Sequence, residues 1–556
     1  MVMPIAGAKH TWSVKLMPIV VGLLLVCMAS AQAPIAPDVQ RGRKGVATSR
    51  AVVNFTELAR QVVEAPTVEV MPEVIPFMPI PSEYPVPPEA LPVTNEKAAV
   101  SEQPPPEETP PAALSPATSS SFQALGDNGT RIPPDTMGTV GPNHLMVALN
   151  SEVRIQNRSG VETSKVTLNS FWSSTGATGV FDPKLTYDPF NSRWIFTATS
   201  NARAASSSVL VGVSQTSDPT GTWNLYRVDA DATDTNWADF PSLGFNKDWI
   251  VVTVNMFRNA GDAFVQGNVY AFDKTDLYAN GTGAFTLFTD AQGGTLAPAV
   301  TFDNSLATEY LLKHWNGSSG GSGFLRLSSI TGTVGAEVYT AQVTFVSTMN
   351  PWSFQPPNGD DFAPQRGTTD KIQNNDSRIS NLVYRNGSLW AAQTAFLPST
   401  SPTHAVAQWW QFQDNGDGTA SVQQFGRVED PDGNVFYAFP SIAVNVNNDV
   451  LLGYSSFSAA QFASASYSFR ASTDPPNTMR PDSLLKAGEA TYFKTFTGTE
   501  NRWGDYSNTV VDPVNDTDMW TIQEYAASPA NLWGTWWGMI VPGTPPKKRR
   551  GQVTSE

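Results

Sequence analysis

Aspartate recurs at one position of a phrase that the chain repeats. Trp-Ala-Asp-Phe (237–240) and Trp-Gly-Asp-Tyr (503–506) each lead into an apolar run, a polar turn and a second apolar run. Weaker copies of the phrase begin at Pro133, Phe181, Ala297, Ser377 and Ala438. To within a residue or two, the position carries Asp135, Asp182, Asp239, Arg378 and Asp505, and it is flanked by Trp237, Arg502 and Trp503.

If the repeats are arranged around an axis, these side chains converge on one rim of a central channel. Several carboxylates can supply the oxygen ligands that Ca²⁺ prefers, which makes the rim a candidate calcium site. Together with the two tryptophans they can equally hold a sugar or a peptide in a concave mouth. Two carboxyls can also act as acid and as nucleophile or base in cleaving a glycan. The structural alternative is that each Asp caps a turn through backbone hydrogen bonds.

The elements that must position these residues are short strands. After Ser120, runs rich in Val, Ile, Thr, Tyr, Phe and Trp alternate with Gly, Asn, Asp and Pro turns, the pattern of an all-β protein. Each of the seven hairpins is followed by a second, more polar hairpin. Four-stranded units at this period predict a β-propeller of seven blades, which closes radially. The last blade is one strand short, and we expect residues 119–125 to supply that strand.

The phrase TSDPTGTW, Thr216–Trp223, resembles the Asp-box turn of sialidase-like propellers with one residue out of step. The resemblance implies a hairpin away from the catalytic mouth, where Asp and Thr tie the turn together and Trp packs into the blade. More broadly, residues 122–542 resemble exported bacterial β-propeller proteins that are mostly uncharacterised, which implies fold and export and almost nothing about reaction. The arginine cluster of sialidases can be proposed here only as Arg131, Arg378 and Arg502.

Residues 1–33 have the features of a secretory signal. Lys9 and Lys15 precede an apolar run over 16–28, and Ala31-Gln32-Ala33 supplies a small-residue cleavage site. We expect cleavage near Ala33 and a secreted, periplasmic or cell-envelope location, with lipid attachment at Cys27 as the alternative. Because Cys27 is the only cysteine, the mature chain would have no disulfide, thiolate nucleophile or cysteine metal site.

Two further segments flank the predicted propeller, which spans 119–543. The composition of residues 34–118 predicts a largely disordered, Pro-rich linker. Within it, NFTELARQVVEA is the best helical candidate, and the apolar stretch VIPFMPIP could dock on the propeller. Residues 544–556 predict a basic, disordered tail. The formal charge is −15, and it moves to −17 when the signal leaves with its two lysines. This charge argues against nucleic acid and anionic membranes as partners, and no membrane span is expected in the mature chain.

The predicted propeller has no recognisable catalytic motif. Its three histidines, His144, His314 and His404, are isolated in sequence, and no G-x-S-x-G, H-E-x-x-H or P-loop spacing occurs. We therefore favour an extracytoplasmic module that binds a carbohydrate or a protein. A glycan-active hydrolase or lyase that uses the rim carboxylates is the first alternative, and a structural envelope scaffold is the second. A hydrolase needs a rim carboxyl with a raised pKa in a water-poor cleft, whereas a binding module needs an exposed aromatic platform.

Overall fold

The repeated phrases fold into four-stranded antiparallel sheets that follow one another along the chain. The computed structural model describes residues 39–62, 73–74, 83–91, 113–495 and 499–543, all within one unit, 37–556. Most of these residues are in strands, so the all-β prediction is confirmed. The predicted signal (1–33) and tail (544–556) lie outside the described residues. None of the described helices is long and apolar enough to span a membrane.

The elements are numbered in chain order. The N-terminal part contains β1 (Val39–Arg41), β2 (Arg43–Gly45), β3 (Ser49–Asn54), α1 (Phe55–Val62), β4 (Glu73–Val74), a 3₁₀ turn (Pro88–Ala90), β5 (Thr118–Gly126) and β6 (Arg131–Ile132). Sheet 1 contains β7 (Met137–Val140), β8 (His144–Ala148), β9 (Glu152–Asn157) and β10 (Glu162–Thr167). It is followed by α2 (Leu168–Trp172) and a 3₁₀ turn (Ser173–Thr175). Sheet 2 contains β11 (Val180–Asp188), β12 (Arg193–Ser200), β13 (Ser208–Ser214) and β14 (Thr222–Asp229).

The next sheets repeat this plan. Sheet 3 contains β15 (Asn236–Phe245), β16 (Trp249–Arg258), β17 (Phe264–Asp273) and, after α3 (Lys274–Tyr278), β18 (Phe285–Asp290). Sheet 4 contains β19 (Ala297–Thr301), β20 (Glu309–Ser319), β21 (Ser322–Thr331) and β22 (Val338–Thr348), and a 3₁₀ turn (Pro357–Gly359) follows. Sheet 5 contains β23 (Ile379–Arg385), β24 (Ser388–Leu397), β25 (His404–Asp414) and β26 (Ala420–Val428). Sheet 6 contains β27 (Val435–Val444), β28 (Val450–Ser458), β29 (Gln461–Arg470) and β30 (Ser483–Lys486). Sheet 7 contains β31 (Asn508–Val511), β32 (Met519–Ala527) and β33 (Leu532–Ile540), together with β5.

The first strands of the sheets form a closed ring. β7 contacts β11, the contacts continue in order through β15, β19, β23 and β27 to β31, and β31 returns to β7. The first strands of sheets 3, 4 and 5 also meet through parallel bridges, such as Phe245 of β15 with Val300 of β19 and Ala299 of β19 with Leu382 of β23. Buried apolar side chains fill the space between adjacent sheets. Four-stranded sheets arranged in this way around an axis form a β-propeller.

The ring is closed by a strand from the other end of the chain. β33 pairs with β5 in antiparallel register, with Trp537 opposite Phe122 and Gly538 opposite Ser121. The prediction that residues 119–125 supply the missing strand is therefore confirmed. This pairing joins segments more than four hundred residues apart (Trp536 opposite Gln123, for example), so closure depends on a contact that forms only when the whole domain assembles.

The predicted linker needs correction over residues 39–62. β1, β2 and β3 add fifth, outer strands to sheets 4, 3 and 2 respectively, whereas α1 matches the predicted helical candidate. An outer strand presents unpaired backbone N–H and C=O groups, so a short extended segment can pair there without any hydrophobic periodicity of its own. Residues 83–91 also contact sheet 4, where Tyr84 stacks on Trp315 with ring centroids 4.6 Å apart. Residues 63–72, 75–82 and 92–112 lie outside the described part.

Candidate functional site

A β-bulge interrupts the first strand of three sheets near its beginning. The pairing skips from Phe181 to Lys184 in sheet 2, from Asp239 to Ser242 in sheet 3 and from Ala438 to Ser441 in sheet 6. The first residue inside each bulge has a left-handed backbone, with φ of 54° at Asp182, 48° at Phe240 and 56° at Phe439. A positive φ is unfavourable for a bulky side chain such as Phe, so neighbouring contacts must hold it. Bulges commonly re-aim side chains beside functional sites.

The bulges change the alignment of the predicted rim. Asp182 is equivalent to Phe240, whereas Asp239 is equivalent to Phe181 and lies one residue earlier. Asp135, with φ of 51°, also has the left-handed backbone. The four aspartates nevertheless come together, since Asp135, Asp239 and Asp505 all act electrostatically on Asp182. We call Asp135, Asp182, Asp239 and Asp505 the carboxyl cluster.

Two members of the cluster accept hydrogen bonds that join neighbouring sheets. Oδ1 of Asp135 accepts from the backbone N–H of Asp505 at 2.8 Å, and Oδ2 accepts from Nδ2 of Asn150 at 2.7 Å. Oδ2 of Asp182 accepts from the backbone N–H of Phe240 at 3.1 Å, while the Asp182 N–H donates to Asn150 at 2.8 Å. Asp135 and Asp182 thus tie together the beginnings of sheets 7, 1, 2 and 3, which is the structural role considered for such residues.

The other two members have fewer partners. Asp505 accepts one side-chain hydrogen bond, from Nη2 of Arg502 at 3.3 Å. Among the described residues, no other side chain donates a hydrogen bond to the carboxyl of Asp239. Asp239 is 5% exposed and the side chain of Asp505 is 7% exposed, so both are nearly removed from water. These two carboxyls are therefore not committed to holding backbone groups of neighbouring sheets.

Burial controls the protonation of the cluster. It raises the pKa of Asp182 well above its usual value, and the three neighbouring carboxyls raise it further. Burial and Asp505 raise the pKa of Asp239 to about 7, against an opposing effect of Arg378. Burial raises the pKa of Asp505 to about 6, where the nearby Arg502 limits the rise. At neutral pH the cluster therefore holds protons that ordinary aspartates would have lost.

Two cations and two aromatic rings lie against the cluster. Nζ of Lys184 lies 2.9 Å from the ring centroid of Tyr506 and 5.0 Å from that of Phe240. Burial lowers the pKa of Lys184 to about 7, although Asp182, Asp135 and Asp505 act in the opposite direction. Arg378, which was predicted to lie at the rim, forms a bidentate ion pair with Asp376, with N–O distances of 2.7 and 2.8 Å. Its guanidinium lies 4.3 Å from the ring centroid of Phe240. A lysine that titrates near neutrality beside carboxyls that do the same is suited to proton transfer.

The two predicted tryptophans do not form an aromatic platform. Trp237 is fully buried and packs against Phe181 and Phe257, with centroids 6.3 and 5.6 Å apart. Trp503 is 1% exposed and packs edge-on against Tyr492 at 4.9 Å. Large aromatic side chains contribute most when buried between sheets, which is why the repeated Trp belongs to the core. The rings that border the cluster belong instead to Phe240 and Tyr506.

Two connections between sheets meet beside the cluster, and their described residues, 349–378 in one and 487–495 and 499–507 in the other, form no strand. Nη1 of Arg502 donates to Oε1 of Gln373 at 2.9 Å, and the Gln373 N–H donates to Asn501 O at 3.1 Å. The Asn501 N–H in turn donates to Oδ2 of Asp361 at 2.7 Å. On the first connection Asn375 is 8% exposed and has φ of 58°, and within the described part of the chain neither of its side-chain amide atoms has a hydrogen-bond partner. It is adjacent to Asp376, which acts electrostatically on Asp505.

Sequence reasoning missed several of these residues. Lys184 and Tyr506 lie inside phrases that the sequence analysis compared, Phe-Asp-Pro-Lys and Trp-Gly-Asp-Tyr, one or two positions after the aspartate. A comparison of the repeats could have identified both positions as lying beside the aspartates. It could not have predicted that Lys184 contacts the ring of Tyr506, because the two residues belong to different repeats. Gln373 and Asn375 lie on a connection that has no counterpart in other repeats and left no signal.

The candidate calcium site gains no support from the geometry. In the described part of the chain, no group of three or more His, Cys, Asp or Glu side chains is arranged to hold a metal ion. Asp135 already uses both oxygens as acceptors, and Asp182 uses one. Asp135 in particular already uses both oxygens to hold amide groups of the protein.

The TSDPTGTW phrase forms the hairpin turn between β13 and β14. Oδ1 of Asp218 accepts from the Thr220 N–H at 2.9 Å and from its hydroxyl at 2.7 Å. Trp223 is fully buried, and its Nε1 donates to Pro219 O at 2.8 Å. These contacts stabilise the turn and place no side chain of the phrase in the carboxyl cluster.

Comparison with known proteins gives structural likenesses only. No family model and no curated protein matches the chain. It is similar to the solved structure of a Hadza microbial sialidase, at 10% identity over 72% of this chain and 73% of that chain, with a TM-score of 0.33. An α-L-arabinofuranosidase from Fusarium graminearum matches at 10% identity over 76% and 97% of the two chains, with a TM-score of 0.34. A Synechocystis apocarotenoid oxygenase variant matches at 10% identity over 63% and 74%, with a TM-score of 0.33. Likenesses this distant carry no argument about chemistry.

Proposed function

We propose that this chain is an exported, seven-bladed β-propeller that cleaves glycosidic bonds at the carboxyl cluster. The observation that supports this proposal is the pair Asp239 and Asp505, whose pKa values are raised to about 7 and about 6. Asp239 therefore keeps its proton to a higher pH than Asp505, whose ionised form Arg502 and Arg378 favour. One protonated and one ionised carboxyl is the combination that glycoside hydrolysis requires.

The environments of the two carboxyls suggest their roles. Asp239 is the general acid, which gives its proton to the leaving oxygen as the glycosidic C–O bond breaks. Asp505, held in its ionised form by Arg502 and Arg378, is the nucleophile at the anomeric carbon or the base that takes a proton from the attacking water. Nucleophilic attack would give retention of anomeric configuration, and activation of water would give inversion.

The binding and scaffold hypotheses explain less of the site. The binding hypothesis relied on an exposed aromatic platform, and both predicted tryptophans are buried. The scaffold hypothesis explains Asp135 and Asp182, which hold backbone groups of neighbouring sheets. It does not explain Asp239, a buried carboxyl to which no other described side chain donates a hydrogen bond. Burying such a group costs free energy, and costs of this kind are concentrated at functional sites.

The proposal is tested with the full chain on a panel of polysaccharides and aryl glycosides, by measuring released reducing ends across pH 5 to 8. We expect turnover that is highest between about 6 and about 7. Asp239→Asn and Asp505→Asn should each lower kcat by about 10² or more. Asp218→Asn, an exposed aspartate on the β13–β14 turn, is the matched control and should keep the wild-type rate. Binding of a glycan that the folded wild type never cleaves would contradict the proposal and favour a binding module.

Export is tested separately. The mass of the chain recovered from the envelope or medium of an expressing bacterium should correspond to a mature protein that begins just after Ala33. A chain that stays in the cytoplasm at full mass would contradict this part of the proposal without bearing on catalysis.

A further inference from the structure

The central channel contains a cavity that is separate from the carboxyl cluster. Its volume is about 340 Å³, and it is lined by residues from the first strand of every sheet. Part of its wall is apolar and includes the half-buried side chains of Leu243, Val300, Phe302 and Val510. Cavities of this size commonly hold small organic ligands.

Lys184 marks the end of the cavity nearest the carboxyl cluster. Lys184 lines the cavity, and its Nζ lies against the rings of Tyr506 and Phe240. The Tyr506 hydroxyl donates to Pro183 O at 3.0 Å, which fixes the ring. The charge of Lys184 interacts with Asp182, Asp135 and Asp505 of the carboxyl cluster.

The opposite end lies at the hairpin turns that follow the first strands. Phe190, 42% exposed, and Asp516, whose side chain is 46% exposed, line the cavity there and also reach the surface. Arg385 lines the same end, with its guanidinium 5.1 Å from the Phe302 ring centroid and its Nη2 paired with Asp516. Arg385 is 3% exposed, and none of the described residues accepts a hydrogen bond from its Nε or Nη1. A buried guanidinium with unsatisfied donors is an unfavourable arrangement that an added anionic acceptor would improve.

We propose that the channel binds a small unbranched carboxylate, with its apolar chain along the channel wall and its carboxylate at Arg385. Ser507 to Val511, which line the cavity along β31 and the residue before it, span ~13 Å at the usual rise of a strand, a length that suits a chain of about eight carbons. The apolar wall supplies the affinity for the chain, and the cation at the open end sets its direction.

The probes are octanoate and 1-octanol, which share the chain and differ in the charged head. Binding to the full chain is measured by isothermal titration calorimetry at millimolar ligand. We expect octanoate to bind the wild type more tightly than 1-octanol does. Arg385→Gln should weaken octanoate at least tenfold and leave 1-octanol unchanged, because only the carboxylate uses the guanidinium. Ser380→Phe, which places a ring in the channel from β23, should abolish both.

Arg158→Gln is the matched control. Arg158 pairs with Asp512 on the same turn that carries Asp516, but it does not line the cavity. This variant should bind octanoate as the wild type does. Equal octanoate binding by the wild type and Arg385→Gln would overturn the proposal, as would octanoate binding that survives Ser380→Phe in a chain with wild-type thermal stability. Absence of binding to the folded wild type would also overturn it and would leave the channel as a solvent-filled feature of the fold.

Discussion

The two halves of the carboxyl cluster differ in what their oxygens hold. Asp135 and Asp182 accept hydrogen bonds from backbone N–H groups of other sheets, at 2.8 and 3.1 Å. Asp239 and Asp505 hold no backbone group of another sheet, yet burial raises their pKa values to about 7 and about 6. Residues that look equivalent in the repeated phrase thus divide into a pair that joins neighbouring sheets and a pair that does not.

The largest expected effect comes from removing both acceptors of Asp135. Asp135→Ala leaves the Asp505 N–H without its acceptor and leaves Nδ2 of Asn150 with Pro133 O alone, so we expect a loss of about 3 kcal/mol in the free energy of unfolding. Asp239→Asn removes no such bond and should keep or increase stability. Chemical denaturation monitored by Trp fluorescence measures both. Equal losses at the two positions would show that the division of the cluster is wrong.

A pair of substitutions at Asp182 sharpens the same comparison. Asp182→Ala removes the acceptor of the Phe240 N–H and places alanine at a left-handed position with φ of 54°. We therefore expect a loss of about 2 kcal/mol in the free energy of unfolding. Asp182→Asn keeps an oxygen acceptor, suits a left-handed backbone and resembles the protonated acid that the raised pKa favours. Its stability at neutral pH should therefore equal that of the wild type. A destabilised Asn variant would mean that Asp182 is ionised in the folded protein.

The pH dependence of stability should show two opposite trends. Asp239 and Asp505 have folded pKa values above the ~3.9 of an unfolded Asp, so their contribution is fully present below ~4 and is lost as the pH rises to about 7 and about 6. Lys184 has a folded pKa of about 7, below its unfolded value, so its contribution is present above ~10.4 and is lost as the pH falls towards 7. In thermal melts, Asp239→Asn should reduce the fall in Tm as the pH rises towards about 7. Lys184→Met should reduce the rise in Tm as the pH increases above about 7. Melting curves of the variants that run parallel to the wild type at every pH would contradict this.

Much of the fold could be predicted because its signals are local. Each hairpin combines apolar alternation with a turn sequence, and the Asn386-Gly387 turn indeed has φ of 50° and 73°. The closing strand β5 was predictable because sheet 7 lacked a strand. β2 was not predictable, since its three residues, Arg43–Gly45, carry no periodicity and gain their partners from the outer edge of sheet 3.

For the candidate site, the sequence predicted which aspartates come together but not what each of them contacts. The repeat predicted that the four aspartates lie near one rim. Which of them hold groups of neighbouring sheets is decided by hydrogen bonds to Asn150 and to backbone N–H groups of other sheets. Those partners are set by the bulges and by packing between sheets, which no local pattern encodes. The repeated tryptophans were misassigned because a platform and a core residue have the same sequence signature, an aromatic side chain beside a strand.

The smallest expected effect separates the two available carboxyls from each other. Arg502 lowers the pKa of Asp505, and Arg502 is not among the main influences on Asp239. Arg502→Gln should therefore raise the pKa of Asp505 and move the acid limb of the pH–rate profile to higher pH. The alkaline limb, which reports Asp239, should stay in place and serves as the internal control. If both limbs move together, the two carboxyls titrate as one unit and the assignment of acid and nucleophile fails; if only the alkaline limb moves, their roles are exchanged.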